Sequence, residues 1–358
     1  MTKKHLLAAV LALALAAGAL AFAQCLLVPK YQTGVVEGGM IAEYYRDTAP
    51  HEVVMIGDCE IYENISPITL FQEYGISSYL RGGPQQLAWH SYYLLEDTLR
   101  HETPTVVVFN VLALKYNKPQ SEAYNRMNID GMRWSISKIR NIFASMTAEE
   151  HFVEYLFPLL RYHSRWSELT PDDTAHLFTK DLVTHAGYYM RADVKPQTGF
   201  PPAMPLADYT LGANAMGYLR KMADLCKEKG VALVLIKAPT EYPHWYPQWD
   251  EQIVSFAEEN DLPYINFIPL QGEIGLDMTK DTYDAGLHLN IYGAEKLARY
   301  FGAWLAEHYD LTDYRADDAV SALWQEKTEA YEAEYAQQLY EMETYGELVS
   351  FGANAVRK

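Results

Sequence analysis

This sequence predicts an α/β fold, a parallel sheet held between two layers of helices, and three observations predict it. Wholly apolar runs of strand length recur after residue 50, helical patterns separate them, and Gly or Ser-Pro signals punctuate the joints. Strands buried on both faces lose the apolar–polar alternation, and parallel strands need helical crossovers, so this rhythm implies a three-layer sandwich. With 358 residues and 49% hydrophobic content, the chain can bury a full core, which excludes a disordered or disulfide-stapled miniprotein.

Residues 1–30 stand apart. Lys3, Lys4 and His5 precede an apolar run from 6 to 28, and the next charge is Lys30. About 20 helical residues cross a bilayer's hydrocarbon, so the run reads as a membrane anchor or a signal peptide. Ala21-Phe22-Ala23 has the small-x-small pattern of a cleavage site, but Cys25, Leu26, Leu27 and Val28 carry the apolar run past it, which favours a retained anchor. Basic residues on the short side keep that end in the cytoplasm and place the rest outside the cell; signal cleavage would instead release the protein.

The α/β body is expected over 31–310. Its first strand is 53–56. Ser66-Pro67 opens a helix as N-cap and first position, and Gly75 closes it. Strands follow at 76–80 and 105–109, with a helix at 85–100 between them. After an interruption come a helix over 213–229 stopped by Gly230, a strand at 231–236, a helix at 250–260, a strand at 264–267 and a helix at 291–308. The interruption, 116–212, shows no strand pattern and is rich in Tyr, Trp, Arg and His, so it reads as a mostly helical insertion. The C-terminal region, 311–358, carries an acidic helix over 317–345. Its stripe Val320, Trp324, Tyr331, Tyr335, Leu339 and Met342 reads as a docking face, for this domain or for another subunit.

Charge and cysteines narrow the function. Forty-seven acidic against 29 basic residues, a formal net charge of −18, argue against nucleic acid as a partner. Of three cysteines, Cys25 falls in the apolar run and Cys226 on an amphipathic helix, where it reads as a small buried hydrophobe. Two cysteines outside the anchor make no disulfide framework.

Cys59 is placed differently. It follows the first strand in Gly57-Asp58-Cys59-Glu60, and a nucleophile on the turn ending a parallel strand points into the ligand crevice. Far downstream, Asp284-Ala285-Gly286-Leu287-His288 precedes the last helix, where a histidine can reach across as base with an aspartate fixing its tautomer. Gly82 and Asn110 follow the second and third strands, where N–H groups could stabilise an oxyanion. Lys237, Glu241 and His244 lie on the loop after the fourth strand and are candidates for substrate contact, as are Asp58 beside the thiol and Arg126 in the insertion. Glu60 and Glu63 would ordinarily be solvated, with Glu63 able to face the cleft. A zinc site from His244, Asp284 and His288 lacks a tight ligand pair, so no metal or other cofactor is expected.

Gly57-Asp58-Cys59 near the start and Asp284 to His288 near the end resemble the first and last signature blocks of SGNH/GDSL hydrolases, with Cys in place of the nucleophilic Ser. The layout is similar to the exported, membrane-anchored branch that includes alginate O-acetylation and teichoic-acid D-alanylation proteins. The resemblance covers about 50–310 without most of the insertion. It implies a flavodoxin-like sheet and acyl-ester hydrolysis or transfer on a cell-envelope glycan or polymer, beside a membrane-bound acyl-exporting partner. It also implies a nucleophile at Cys59, a base at His288, an orienting carboxylate at Asp284, and oxyanion donors from Gly82, Asn110 and the Cys59 amide. Two departures stand out. The family's Asp precedes its His by three residues, whereas here the separation is four and Asp281 is the substitute; and the Gly-x-Asn-Asp block is represented only by Asn110. The rival reading is a catalytically inactive glycan-binding or partner-presenting module on the same scaffold.

Overall fold

The computed structural model describes residues 2–29, 39–175, 177–178 and 182–350. The anchor segment is one helix, α1 (Lys3–Leu27), with none of its residues buried. It is long and apolar enough to cross a membrane, as a signal-anchor or a signal peptide would be.

Five strands, β1 (Val53–Gly57), β2 (Ser78–Gly82), β3 (Val106–Asn110), β4 (Ala232–Lys237) and β5 (Tyr264–Asn266), form one sheet in the order β2-β1-β3-β4-β5. All four pairings are parallel. Each of β1, β2 and β3 is buried along its whole length, which is why β1 and β3 run almost wholly apolar without alternation. Alternate residues still divide between two cores. Val53 and Met55 join the one under α3 (Pro67–Tyr74), α9 (Ile291–His308) and α10 (Asp318–Tyr345). Val54 and Ile56 join the other, under α4 (Ala88–His101), α7 (Ala213–Lys229) and α8 (Pro247–Asn260). Cys226 lies in the second core, 1% exposed.

Local signals set several boundaries. The Ser66 hydroxyl accepts from the Thr69 amide at 3.2 Å, and Gly75 and Gly230 end their helices in left-handed conformation. β2 begins and ends two residues later than the apolar run 76–80 suggests, because Arg81 sits inside the strand. Its guanidinium is wholly buried and paired with Asp97 at 2.6 Å, so a charge occupies a core position.

Helices fill the first half of the insertion, including α5 (Glu122–Ile129) and α6 (Ile136–Ser145), around a small core of Ile129, Ile142 and Tyr155. From 182 to 212 the chain runs without helix. It first covers the β2 edge, where the Leu80 amide donates to the Ala186 carbonyl at 2.9 Å, and sends Tyr188 and Met190 into the main core. The C-terminal helix docks on its own chain: Trp324 stacks on Phe71 with ring centroids 4.7 Å apart and donates to the Ser77 hydroxyl at 2.9 Å.

Candidate active site

In an open sheet of order 2-1-3-4-5 the chain reverses direction of winding at β1, and ligands bind beyond the carboxyl ends of the strands there. Gly57 ends β1 at this point, and the short helix α2 (Cys59–Tyr62) begins at once. A Cβ on Gly57 would lie 2.6 Å from Ile61 Cγ1, so glycine is what lets this helix fold back onto its strand. The Asp58 carboxylate caps the helix by accepting from the Glu60 amide at 3.2 Å. That places Cys59 at the first helical position, part-exposed at the sheet's edge, with an N–H that has no intrahelical acceptor.

The loop before α9 brings the histidine. Asp284 Oδ1 accepts from the Leu287 and His288 amides at 3.1 and 2.8 Å, and its Oδ2 meets His288 Nδ1 at 2.7 Å. Ala285 and Gly286 take φ of +67° and +98°, a left-handed pair that absorbs the extra residue between Asp and His. The separation of four is therefore accommodated by the turn. Asp281, the substitute, is 2% exposed and bound to Lys296 at 2.6 Å, away from the imidazole.

Cys59 Sγ, a Glu63 carboxylate oxygen and a His288 ring nitrogen lie within 4.8 Å of one another. Glu63 is buried, 3.7 Å from His288 Nδ1, and accepts a hydrogen bond from the Tyr283 hydroxyl. Burial alone would lower the His288 pKa, but the Cys59 sulfur, the Glu63 carboxylate and the hydrogen bond to Asp284 together hold it well above the ordinary imidazole value. Burial pushes the Cys59 thiol up to about 11, against the pull of His288. Among the described residues this is the one group of three close donors that could hold a metal ion, and sulfur, nitrogen and oxygen would suit zinc. His244, Asp284 and His288 form no such group.

Several expected contacts have other duties. Lys237 is fully buried, its ammonium bound to Glu60 at 2.8 Å and to the Ala238 and Thr240 carbonyls at 2.9 and 3.0 Å, so it cannot meet a substrate. Glu60 is correspondingly buried and not solvated. Asn110 spends both amide protons on Asp58 and Glu60, at 3.1 and 2.9 Å, which leaves none for an oxyanion. Asp58 itself is a buried cap whose pKa rises to about 6 through burial and the neighbouring Glu60. Arg126 is 1% exposed over the Tyr155 ring, holding the insertion together through Asp130. Gly82 stands level with Gly57 in the sheet register, at the edge as expected. Glu241 is exposed, and His244 bonds the Pro201 carbonyl at 2.7 Å.

That last contact belongs to a strap that pattern reading missed. Lys195 pairs by backbone hydrogen bonds with Thr282 and Ala285, both at 3.0 Å, and Phe200 stacks on Tyr242 with centroids 5.2 Å apart. Residues 193–206 thus link the histidine loop to the loop after β4. The strap's approach also sets Arg191 over the Tyr283 ring, 4.4 Å from its centre, beside Glu63. Neither Tyr283 nor Arg191 belongs to a motif; only the clustering of aromatic and arginine residues in the insertion hinted at such a contribution. Two clefts of about 620 and 440 Å³ lie elsewhere on the surface, and neither is lined by Cys59 or His288.

No family model matches this chain, and no curated protein matches it. Solved structures do. A putative acylhydrolase from Bacteroides fragilis is similar at 12% identity and a TM-score of 0.36, over 75% of this chain and 95% of that one. A GDSL-like lipase from Bacteroides thetaiotaomicron is similar at 12% identity and a TM-score of 0.34, over 76% of this chain and all of that one. Likeness at this level assigns no activity; the chemistry has to be argued from the residues at the β1 edge.

Proposed function

We propose that this protein is an exported, membrane-anchored acyl hydrolase or O-acyltransferase of SGNH/GDSL type that uses Cys59 as nucleophile, His288 as base and Asp284 to orient the base. The observation that carries the reading is the relay itself: Asp284 holds Nδ1 at 2.7 Å while the imidazole stands beside the thiol at the carboxyl end of β1. A thiol beside an imidazole that can take its proton, with the imidazole oriented by a carboxylate, is the arrangement nucleophilic catalysis requires.

In the reaction, His288 in its neutral form takes the thiol proton and sulfur attacks the ester carbonyl. The C–O bond breaks, the alcohol leaves with the proton from His288, and the acyl group remains as a thioester on Cys59. An acceptor hydroxyl, deprotonated by His288, then attacks the thioester and restores the thiol. The Cys59 amide and the Gly82 backbone are the donors assigned to the oxyanion. A thioester passes its acyl group readily to another hydroxyl, which favours transfer to a cell-envelope glycan over hydrolysis. The acidic body and the apolar α1 suit an outward-facing enzyme whose acyl donor arrives through a membrane partner.

Alkylation mapped by peptide mass spectrometry tests this. Iodoacetamide modifies Cys59 faster than Cys226, whose pKa burial raises to about 12, and His288→Ala slows Cys59 alone. A Cys59 as inert as Cys226, indifferent to His288, supports the non-catalytic binding module.

A further inference from the structure

α1 has 25 residues and so measures about 37 Å, against roughly 30 Å of bilayer hydrocarbon. Its last turn therefore emerges among the headgroups. The insertion meets it there: Arg165 Nη1 donates to the Leu27 carbonyl at 2.7 Å, while Nη2 is held by Asp173 at 3.0 Å. The short segments Leu159–Tyr162, His163–Ser167 and Pro171–Ala175 all touch α1.

The same stretch exposes a run of large apolar side chains. Leu156, Phe157 and Leu160 are 43%, 53% and 54% exposed, and Trp166 is 72% exposed. Arg161 and Arg165 are interspersed with them, held by Glu122 at 2.8 Å and by Asp173 at 3.0 Å. Apolar chains mixed with Trp and Arg are the composition of a membrane interface, not of a solvated surface. A body bonded to the end of a lipid-embedded helix holds this patch within a side chain's reach of lipid.

We propose that residues 153–167 form a seat that rests on the bilayer where α1 leaves it. Leu156, Phe157, Leu160 and Trp166 dip about 5–10 Å into the headgroup and acyl boundary, and the two arginines stay at headgroup level. The seat gives the α/β body two attachments to the membrane in place of one, which fixes its orientation over the lipid. It rests on the reading of α1 as a retained anchor and is independent of the chemistry at Cys59.

The test reconstitutes the full chain in vesicles of phosphatidylcholine with phosphatidylglycerol, with and without bromine on the acyl chains. Flotation reports the anchor. The emission difference between wild type and Trp166→Phe isolates Trp166 from the other six tryptophans. The seat predicts that Trp166 loses most of its emission in brominated vesicles, and more with bromine placed near the headgroups than deep in the chains. A chain that floats while Trp166 stays unquenched overturns the seat and leaves the anchor standing. Trp166 becoming shielded only in native membranes would identify a membrane-protein partner and also overturn it. A chain that does not float removes anchor and seat together.

Discussion

At the scale of single residues, the β1 edge keeps two kinds of carboxylate apart. Asp284 and Glu63 face the imidazole, whereas Asp58 accepts from the Asn110 amide and Glu60 accepts from both that amide and the Lys237 ammonium. The Glu60–Lys237 pair is buried on both sides, so removing one partner strands the other charge. Lys237→Met should lower unfolding stability by about 3–5 kcal/mol in a denaturant titration, and adding Glu60→Gln should recover much of it. The thiol supplies a pH prediction with a definite sign. Its pKa is raised, so the thiolate fraction is small at neutral pH and grows about tenfold per pH unit. Alkylation of Cys59 should therefore keep rising beyond the ordinary thiol range near 8.5 and level off only at more alkaline pH. Removing the His288 cation should shift that curve further alkaline, slowing alkylation about tenfold at fixed pH. A plateau below pH 8.5 would contradict this. Added zinc should block alkylation through Cys59, Glu63 and His288, while a chelator should leave the rate of the purified protein unchanged.

At the scale of elements, caps and apolar runs were legible because each has a local cause. Ser66-Pro67, Gly75 and Gly230 act within one turn of chain, and α7 and α9 begin and end where their patterns do. Where tertiary contacts decide, local reading failed. Arg81 hid the end of β2 because its charge is satisfied by Asp97, and Asn110 looked like an oxyanion donor because nothing in 106–110 reveals that its amide is already spent. The strap over 193–206 has neither strand alternation nor helical period, since its backbone bonds go to loops far along the chain. The C-terminal helix left two docking partners open, and packing chose this chain. Trp324→Ala should cost about 3–5 kcal/mol of stability by thermal or denaturant unfolding, because it removes a fully buried ring stacked on Phe71. A loss under 1 kcal/mol would mean that α10 does not hold to this core in solution.

At the scale of the whole molecule, the sheet order puts Cys59 where the chain turns from β1 toward β2 on one side and β3 on the other, and α9 closes the same edge with His288 in front of it. Both ends of the candidate site were readable as short motifs, since glycine at a tight approach and an Asp–His turn impose residue types at fixed places. Of the surroundings only Glu63 was legible, as a carboxylate able to face the cleft four residues after Cys59; Tyr283 and Arg191 meet it only through folding. The central claim is that sulfur carries the acyl group. Brief exposure of the full chain to an activated acetyl ester, followed by acid quench and peptide mass spectrometry, tests it most directly. The account predicts one acetyl group on Cys59 that hydroxylamine removes, and its absence in His288→Ala; acetylation confined to lysines, with Cys59 unmodified in the wild-type chain, would contradict it.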